Sequence, residues 1–330
     1  VYDSSFNLLA QVVNTPELAT YFTSAVTHLE DIYIGTRNFG MLKTLSSNSS
    51  VIEELRPDGP LFNNLFSIEY YNNELWGVSG GYNVFYNFIG GNRLETGISR
   101  LVNDDWLNIP YDSISNDIAT PWYLSHLAIN PFNPDQVFVS SYYKGLIEFN
   151  EDQIVGLYDE NNSTLATFAL DINLTATSIF DENGTLWIMN GRVESPLNRL
   201  QNGNWTSYNF SEVIPDYARE LGFSNIVIGG DDTKWIGTYR NGLIGFLESG
   251  SNFRIKKIVG EESNLSNPYV TALAMDNRNQ LWIGTFKGLR VLYNTSNFFE
   301  EEDTEVDEII ILEDGEAKEL LFEQYITDIK

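Results

Sequence analysis

The sequence predicts an all-β protein, a β-propeller built of four-stranded blades. A short phrase recurs along the chain, as in Leu-Trp-Ile-Gly-Thr at Leu281–Thr285 and Lys-Trp-Ile-Gly-Thr at Lys234–Thr238. Its six copies, separated by 43, 62, 49, 48 and 47 residues, carry an aromatic residue in second place: Tyr33, Trp76, Phe138, Trp187, Trp235 and Trp282. A repeat of this length is one supersecondary unit that must stack on its neighbours to bury its apolar face. The 14% content of Phe, Trp and Tyr also favours large packed sheets.

One unit shows the order of the strands. Residues 268–276 predict an inner strand, the polar residues 276–280 a hairpin turn, Leu281–Thr285 the second strand and residues 290–293 the third. The parallel between residues 100–106 and 199–205 adds a tight turn and a fourth strand. Four antiparallel strands per unit are the blade of a propeller, and we expect the signature tryptophans to pack between blades.

A glycine marks the turn after the second strand. The Lys-Gly-Leu step at Gly288 recurs at Gly145, Gly242 and, more loosely, Gly40. Glycine favours a hairpin position with positive φ, where a Cβ would clash. We therefore predict positive φ at these four glycines.

The blade count depends on the two ends of the chain. Residues 1–9 read as an outer strand and residues 324–329 as an inner strand, and together they would complete a seventh blade. Seven blades are preferred, and six is the alternative, with residues 326–329 belonging to a following domain. We expect the propeller to span residues 1–320, closed by pairing of the N- and C-terminal segments, and residues 321–330 to be its last strand or the start of the next domain.

The composition excludes several classes of function. The net charge is −27, and although residues 300–319 hold eleven acidic residues, most of the 46 lie elsewhere. This charge disfavours nucleic acid, because phosphate attraction would have the wrong sign. Without an apolar run of 18 residues we expect no direct membrane insertion. The first residue is not methionine and no signal peptide is visible, which we interpret as a processed protein or a fragment.

The repeated Trp-Ile-Gly-Thr and Gly-Leu unit resembles the propeller repeats of bacterial two-component regulators. More particular stretches resemble the PorZ family, cell-surface propeller proteins of the type IX secretion machinery of Bacteroidota: residues 57–64, 74–82, 97–111, 130–134 and 140–146. The resemblance implies an internal fragment with one propeller of a larger protein.

The PorZ resemblance also implies a function. It implies a non-catalytic module, exported to the outer-membrane surface, that docks a PorU-like sortase and outer-membrane barrel partners and presents anionic lipopolysaccharide. The alternative is the periplasmic, glycan-sensing propeller of a hybrid two-component regulator.

Catalytic chemistry has little support in the sequence. The chain has two histidines, His28 and His126, no cysteine and no Gly-x-Ser-x-Gly elbow. We predict no catalytic residues, no metal site and no cofactor, and we expect both histidines to be structural. A propeller lyase or glycosidase would instead require convergent histidines or paired carboxylates at the channel mouth.

Aromatic and basic side chains mark a candidate ligand site. The longest spacing of the repeat contains an insertion at residues 80–91, and a long loop on a rigid scaffold is a usual place for binding. Arg192 and Arg240 each follow a signature tryptophan by five residues, which predicts that they share one face. Aromatic platforms with nearby arginines suit anionic glycans. The predicted ligand-binding residues are Tyr82, Trp122, Tyr142, Tyr143, Arg192 and Arg240.

Overall fold

A computed structural model describes residues 2, 5–13, 20–37, 40–55, 58–82, 93–220 and 222–330 of the chain. It divides into two compact units, Val1–Gly59 and Pro60–Lys330. Both are built from antiparallel sheets, and the predicted all-β propeller fold is confirmed.

The first unit contains one four-stranded sheet. Its strands follow each other in order: β1 (Phe22–His28), β2 (Asp31–Thr36), β3 (Met41–Leu45) and β4 (Asn48–Leu55). Ile32 and Ile34 alternate with more exposed residues along β2 and pack with Leu42 of β3 in a small apolar core. This period of two is that of a strand with one buried face.

The second unit contains four sheets of four strands each, again with sequential neighbours hydrogen-bonded. The first two sheets are β5 (Ser67–Tyr71), β6 (Glu74–Val78), β7 (Ile98–Val102), β8 (Asp105–Ile109), and β9 (Leu124–Ile129), β10 (Gln136–Ser141), β11 (Gly145–Asn150), β12 (Gln153–Tyr158). The next two are β13 (Thr175–Phe180), β14 (Leu186–Asn190), β15 (Leu197–Gln201), β16 (Asn204–Tyr208), and β17 (Phe223–Ile228), β18 (Lys234–Thr238), β19 (Leu243–Ser249), β20 (Asn252–Ile258).

The last part of the chain forms a three-stranded sheet and a hairpin. Their strands are β21 (Val270–Met275), β22 (Leu281–Thr285), β23 (Gly288–Leu292), β24 (Ile310–Glu313) and β25 (Glu316–Glu319). An isolated antiparallel bridge pairs Asp307 with Val291 of β23, at the position where a fourth strand would lie.

Six of the seven sheets agree with the predicted blades, whereas residues 324–329, predicted as an inner strand, contain no strand. The described residues form seven sheets, as a seven-bladed propeller requires, although the seventh is the two-stranded β24–β25 hairpin. Each of the six signature phrases lies on the second strand of its sheet. Closure by the terminal segments stays a prediction, and Val1, Asp3 and Ser4 of the predicted outer strand lie outside the described residues.

Helices are short. The described residues contain one α-helix, α1 (Tyr111–Ser115), and three single 3₁₀ turns at Tyr217–Arg219, Glu261–Ser263 and Thr295–Asn297. Within the ranges that the structure covers, no helix has the length and apolar character needed to cross a membrane.

Three of the four signature tryptophans lie in the core, as expected, whereas Trp282 is half-buried. The side chains of Trp76, Trp187 and Trp235 are fully buried. The indole N–H of Trp187 donates to Asp181 at 3.0 Å, and that of Trp282 donates to Asp276 at 3.2 Å. In each case the aspartate belongs to the turn before the second strand, so one side chain joins the turn to the core.

Positive φ is confirmed at all four glycines predicted to have it: Gly40, Gly145, Gly242 and Gly288. At Gly242 a Cβ would also lie 2.1 Å from the carbonyl oxygen of Ile258 at the end of β20. Glycine is needed there both for the backbone conformation and for the close approach of the fourth strand.

Candidate functional site

One edge of the blades in the second unit is rich in aromatic side chains. Because blade strands are antiparallel, the connection leaving a second strand lies at the same edge as the connection entering a first strand. We call this edge the aromatic face; its members are Tyr82, Trp122, Tyr123, Tyr142, Tyr143, Phe168, Tyr239, Tyr269 and Phe286. All four predicted aromatic site residues, Tyr82, Trp122, Tyr142 and Tyr143, lie on it.

Tyr82 and Tyr142 form the floor of the aromatic face. Their ring centroids are 4.4 Å apart, and the Tyr82 hydroxyl donates to the carbonyl oxygen of Phe223 at 3.1 Å. Burial raises the pKa of both phenols above the ordinary value, so both are neutral. Residues 83–91 of the predicted insertion lie outside the described residues.

Trp122 and Tyr143 form a second aromatic pair, with ring centroids 4.6 Å apart. The indole N–H of Trp122 donates to Glu95 at 3.3 Å. The guanidinium carbon of Arg93 lies 4.1 Å from the Trp122 ring centroid, within the range of a cation–π interaction. Sequence reasoning did not identify Arg93, because its distance from the signature phrase differs from that of the two predicted arginines.

Arg192 and Arg240 occupy equivalent places in neighbouring blades. Arg192 follows β14 with a φ of 59°, and its guanidinium carbon lies 4.6 Å from the Phe168 ring centroid. Arg240 follows β18, and its side chain is exposed. Their equal offsets from Trp187 and Trp235 therefore put both at the edge of the aromatic face.

Glu220 holds the connection that carries Arg240. Its carboxylate is 1% exposed and accepts the backbone N–H of Tyr239 at 2.7 Å and that of Arg240 at 3.2 Å. The side-chain amide of Asn241 donates to it at 2.6 Å. Burial raises the pKa of Glu220 to about 7, although these donors and Arg240 favour the charged form.

Lys257 supports the same connection from β20. Its ammonium donates to the carbonyl oxygen of Val213 at 2.6 Å and to the Asn241 side chain at 3.2 Å. Burial lowers the pKa of Lys257, and Glu220 partly offsets this effect. Neither Glu220 nor Lys257 was predicted, since one acid among 46 and one basic residue among 19 carry no distinguishing local pattern.

A row of four aromatic rings in contact continues the aromatic face. Tyr239 and Tyr269 are nearly parallel, with ring centroids 4.7 Å apart and an interplanar angle of 3°. Phe286 lies 6.1 Å from Tyr269, and Tyr325 lies 5.2 Å from Phe286. Tyr239, Tyr269 and Phe286 are half-buried and Tyr325 is exposed, so the row presents ring surface that can stack on a sugar.

The two histidines occupy different surroundings. His28, at the end of β1, is exposed, whereas His126 lies half-buried on β9. Burial lowers the pKa of His126 to about 4, with a smaller effect from Lys330. Across the described residues, no three His, Cys, Asp or Glu side chains come together as a metal site would require.

Known proteins with similar repeats or a similar fold include a regulator propeller family and PorZ. The two component regulator propeller family model matches residues 264–287, which include the signature phrase at β22. The structure of PorZ, a surface component of the type IX secretion system of Porphyromonas gingivalis, matches 92% of this chain with a TM-score of 0.77 and 19% identity. This chain shares its fold with PorZ. The fold resemblance predicted from the sequence is confirmed.

Other propellers share the fold more distantly. The extracellular domain of BT4673 from B. thetaiotaomicron, a one-component or hybrid two-component system, matches 97% of this chain with a TM-score of 0.54 and 16% identity. Virginiamycin B lyase from Staphylococcus aureus has a TM-score of 0.50 and 11% identity over 83% of this chain and 80% of the lyase. The fold is therefore found in an enzyme as well as in PorZ.

The present chain is short compared with PorZ and BT4673. It spans 42% of the PorZ chain and 37% of the BT4673 chain. No curated protein sequence matches it.

Proposed function

We propose that this chain is a non-catalytic binding module of type IX secretion at the outer-membrane surface, similar to PorZ. The shared fold and the PorZ-like sequence stretches support this proposal. The module docks a PorU-like sortase and outer-membrane barrel partners, and its aromatic face binds anionic lipopolysaccharide.

The observation that carries the ligand proposal is the placement of Arg192 and Arg240 beside the aromatic face of a chain with net charge −27. The overall negative charge of such a protein would repel an anionic glycan. Two arginines on the same edge can overcome that repulsion locally, since guanidinium groups make charge-assisted hydrogen bonds to phosphate and carboxylate. The neighbouring rings can stack on the sugar units.

A binding titration of the purified chain against anionic and neutral lipopolysaccharide, at two salt concentrations, tests the ligand proposal. Saturable binding selective for the anionic form, weaker at high salt, is expected. The variants Arg192→Gln and Arg240→Gln should each weaken it. Arg278→Gln is the matched control, because Arg278 is exposed on the turn between β21 and β22, at the opposite edge of its blade.

Three results would reject the ligand proposal. They are an absence of binding, equal binding of the neutral form, or an effect of Arg278→Gln as large as that of Arg240→Gln. A co-purification of the chain with a PorU-like sortase tests the docking role separately.

The alternative function is a periplasmic, glycan-sensing propeller of a hybrid two-component regulator. The regulator-type repeat at residues 264–287 and the fold shared with BT4673 favour it. This alternative requires selective binding of a glycan together with no association with sortase or barrel partners.

A further inference from the structure

The hairpin formed by β24 and β25 is held firmly where it joins the rest of the second unit. Before β24, the side-chain amide of Asn264 donates to the carboxylate of Glu308 at 2.7 Å. At the end of β25, Glu319 accepts a hydrogen bond from Arg290 of β23 at 2.5 Å, and both side chains of this ion pair are largely buried. Residues 314–315 close the hairpin with positive φ, as a tight Asp-Gly turn requires.

One face of this hairpin is apolar. Side chains alternate along a strand, so Ile310 and Leu312 of β24 lie on the same side. Residues directly opposite each other in an antiparallel pair share a face, which adds Ala317, opposite Leu312, and Glu319, opposite Ile310. Glu319 is paired with Arg290, so the remaining three residues form what we call the apolar face: Ile310, Leu312 and Ala317.

The apolar face is open to solvent. The exposed fraction is 57% for Ile310 and 81% for Leu312, and Ala317 is exposed as well. Across the described ranges, no third strand pairs with this sheet, so the outer edge of β24 has no ladder partner. A two-stranded hairpin by itself is only marginally stable in water, and an apolar edge strand is a template for pairing with another chain. Both properties favour the addition of a partner strand.

The surroundings of the apolar face are strongly acidic. Residues 300–319 hold eleven acidic side chains and one lysine. Residues 300–308, which precede the hairpin, are held in place by Lys256, whose ammonium donates to the carbonyl oxygen of Glu301 at 2.6 Å and to the Thr304 hydroxyl at 2.7 Å. All acidic side chains of this segment are exposed. A fixed negative potential beside an apolar strand is complementary to a basic partner.

The same charge argues against a second copy of this chain as the occupant. Two copies meeting through β24 would bring their acidic segments together, with a net charge of −27 on each. A strand that alternates apolar residues with lysine or arginine meets no such repulsion. Its apolar side chains would lie beside Ile310 and Leu312, and its basic side chains would lie on the other face, beside Glu313.

We propose that β24 is a docking edge for an extended basic segment of a partner protein, which adds to the hairpin as a third strand beside Ile310 and Leu312. Backbone hydrogen bonds and the apolar contacts hold the segment, and its charge selects it. This inference goes beyond the function proposed above, which assigns no surface to partner proteins. It concerns a different place from the aromatic face, and it holds whether or not the partner is a sortase.

Titration of the purified chain with three synthetic peptides tests this proposal. The probe is a short peptide that alternates valine and lysine. The second peptide has the same side chains but is N-methylated on every residue, so it keeps the charge and loses the backbone donors. The third alternates valine and glutamate. The probe should bind saturably, the N-methylated peptide about tenfold more weakly, and the acidic peptide not at all.

A pair of matched variants assigns the site. Ile310→Thr keeps the strand propensity but removes apolar contact with the added strand, and it should weaken binding of the probe about fivefold. Val155→Thr is the control, because Val155 lies on β12 and has the same exposed fraction of 57%. It should leave binding unchanged. Binding of anionic lipopolysaccharide should be the same in Ile310→Thr as in wild type, which keeps the outcomes of the two proposals distinct.

Three results would overturn the proposal. Equal affinity of the probe and its N-methylated form would reduce the interaction to attraction between opposite charges. Equal affinities of Ile310→Thr and Val155→Thr would place the peptide elsewhere on the chain. A wild-type dimer in sedimentation equilibrium that Ile310→Thr converts to a monomer would assign the edge to a second copy. Because the peptide series uses the wild type, it decides the matter even if a variant fails to fold.

Discussion

The buried carboxylate of Glu220 accepts the backbone N–H of Tyr239 at 2.7 Å. Through this bond and those from Arg240 and Asn241, it fixes the connection after β18 at the edge of the aromatic face. A buried acid thus positions an exposed arginine, although Glu220 itself does not reach the surface.

Replacing this acid should destabilise the protein. In Glu220→Gln the amide nitrogen would face a backbone or side-chain donor in either orientation, because both carboxylate oxygens now accept. We expect the free energy of unfolding to fall by ~1–3 kcal/mol, measured by urea unfolding. Anionic glycan binding should also weaken, as the connection carrying Arg240 loses its anchor.

Glu182→Gln is the control for this loss, since Glu182 is an exposed residue of the turn between β13 and β14. It should leave the free energy of unfolding within ~0.5 kcal/mol of wild type. Equal unfolding curves for the two variants would contradict the anchoring role of Glu220.

The pH dependence of stability should show Glu220 titrating. Its folded pKa of about 7 is above the ordinary value of 4.5, so the folded state favours the protonated acid. The stability it contributes is complete below pH 4.5 and is lost as pH rises through about 7.

His126 changes stability in the opposite direction over part of this range. Its pKa falls from 6.5 to about 4 on folding, so its contribution is complete above pH 6.5 and is lost as pH falls through about 4. The free energy of unfolding of wild type minus that of Glu220→Gln, measured by urea unfolding across these pH values, isolates Glu220. That difference should decrease as pH rises, and a flat difference would contradict the raised pKa.

Two signature tryptophans should respond differently to the same substitution. Trp187 donates its indole N–H to Asp181, whereas the indole nitrogen of Trp235 has no partner among the described residues, and both side chains are fully buried. Trp187→Phe should therefore lower the free energy of unfolding by ~1–3 kcal/mol more than Trp235→Phe does. Similar losses on thermal or urea unfolding would show that the Asp181 bond adds nothing to stability.

The glycine at the turn after β18 should tolerate no side chain. In Gly242→Ala the Cβ would meet the carbonyl oxygen of Ile258, and the residue has a φ of 69°. We expect a loss above ~4 kcal/mol in the free energy of unfolding. Gly203→Ala, with a φ of 76° and no atom within 4 Å of its Cβ, isolates the backbone strain alone and should cost about 1–2 kcal/mol. Equal losses would rule out a steric role of the fourth strand.

Local pattern was enough to predict much of the fold. The phrase around Trp235 and Trp282 placed the second strands, and the following glycines placed the turns, because both signals depend on residues close in sequence. The equal offset of Arg192 and Arg240 likewise predicted one shared edge, since every blade repeats the same connection.

The sequence did not identify the groups that shape the candidate sites. Glu220 is one of 46 acids, and its partners lie 19 to 21 residues further along the chain. Tyr82 was predicted as a site residue, but the sequence did not indicate that its hydroxyl donates to the carbonyl oxygen of Phe223, 141 residues away.

The sequence by itself determined the all-β propeller, the identity of its strands and the edge on which the arginines lie. Strand period and turn chemistry are properties of neighbouring residues. Only the tertiary structure decided that Glu220 is buried and that the Tyr82 hydroxyl reaches the carbonyl oxygen of Phe223. Burial and hydrogen-bond satisfaction depend on which distant blades meet, and no local pattern in the chain encodes those distances.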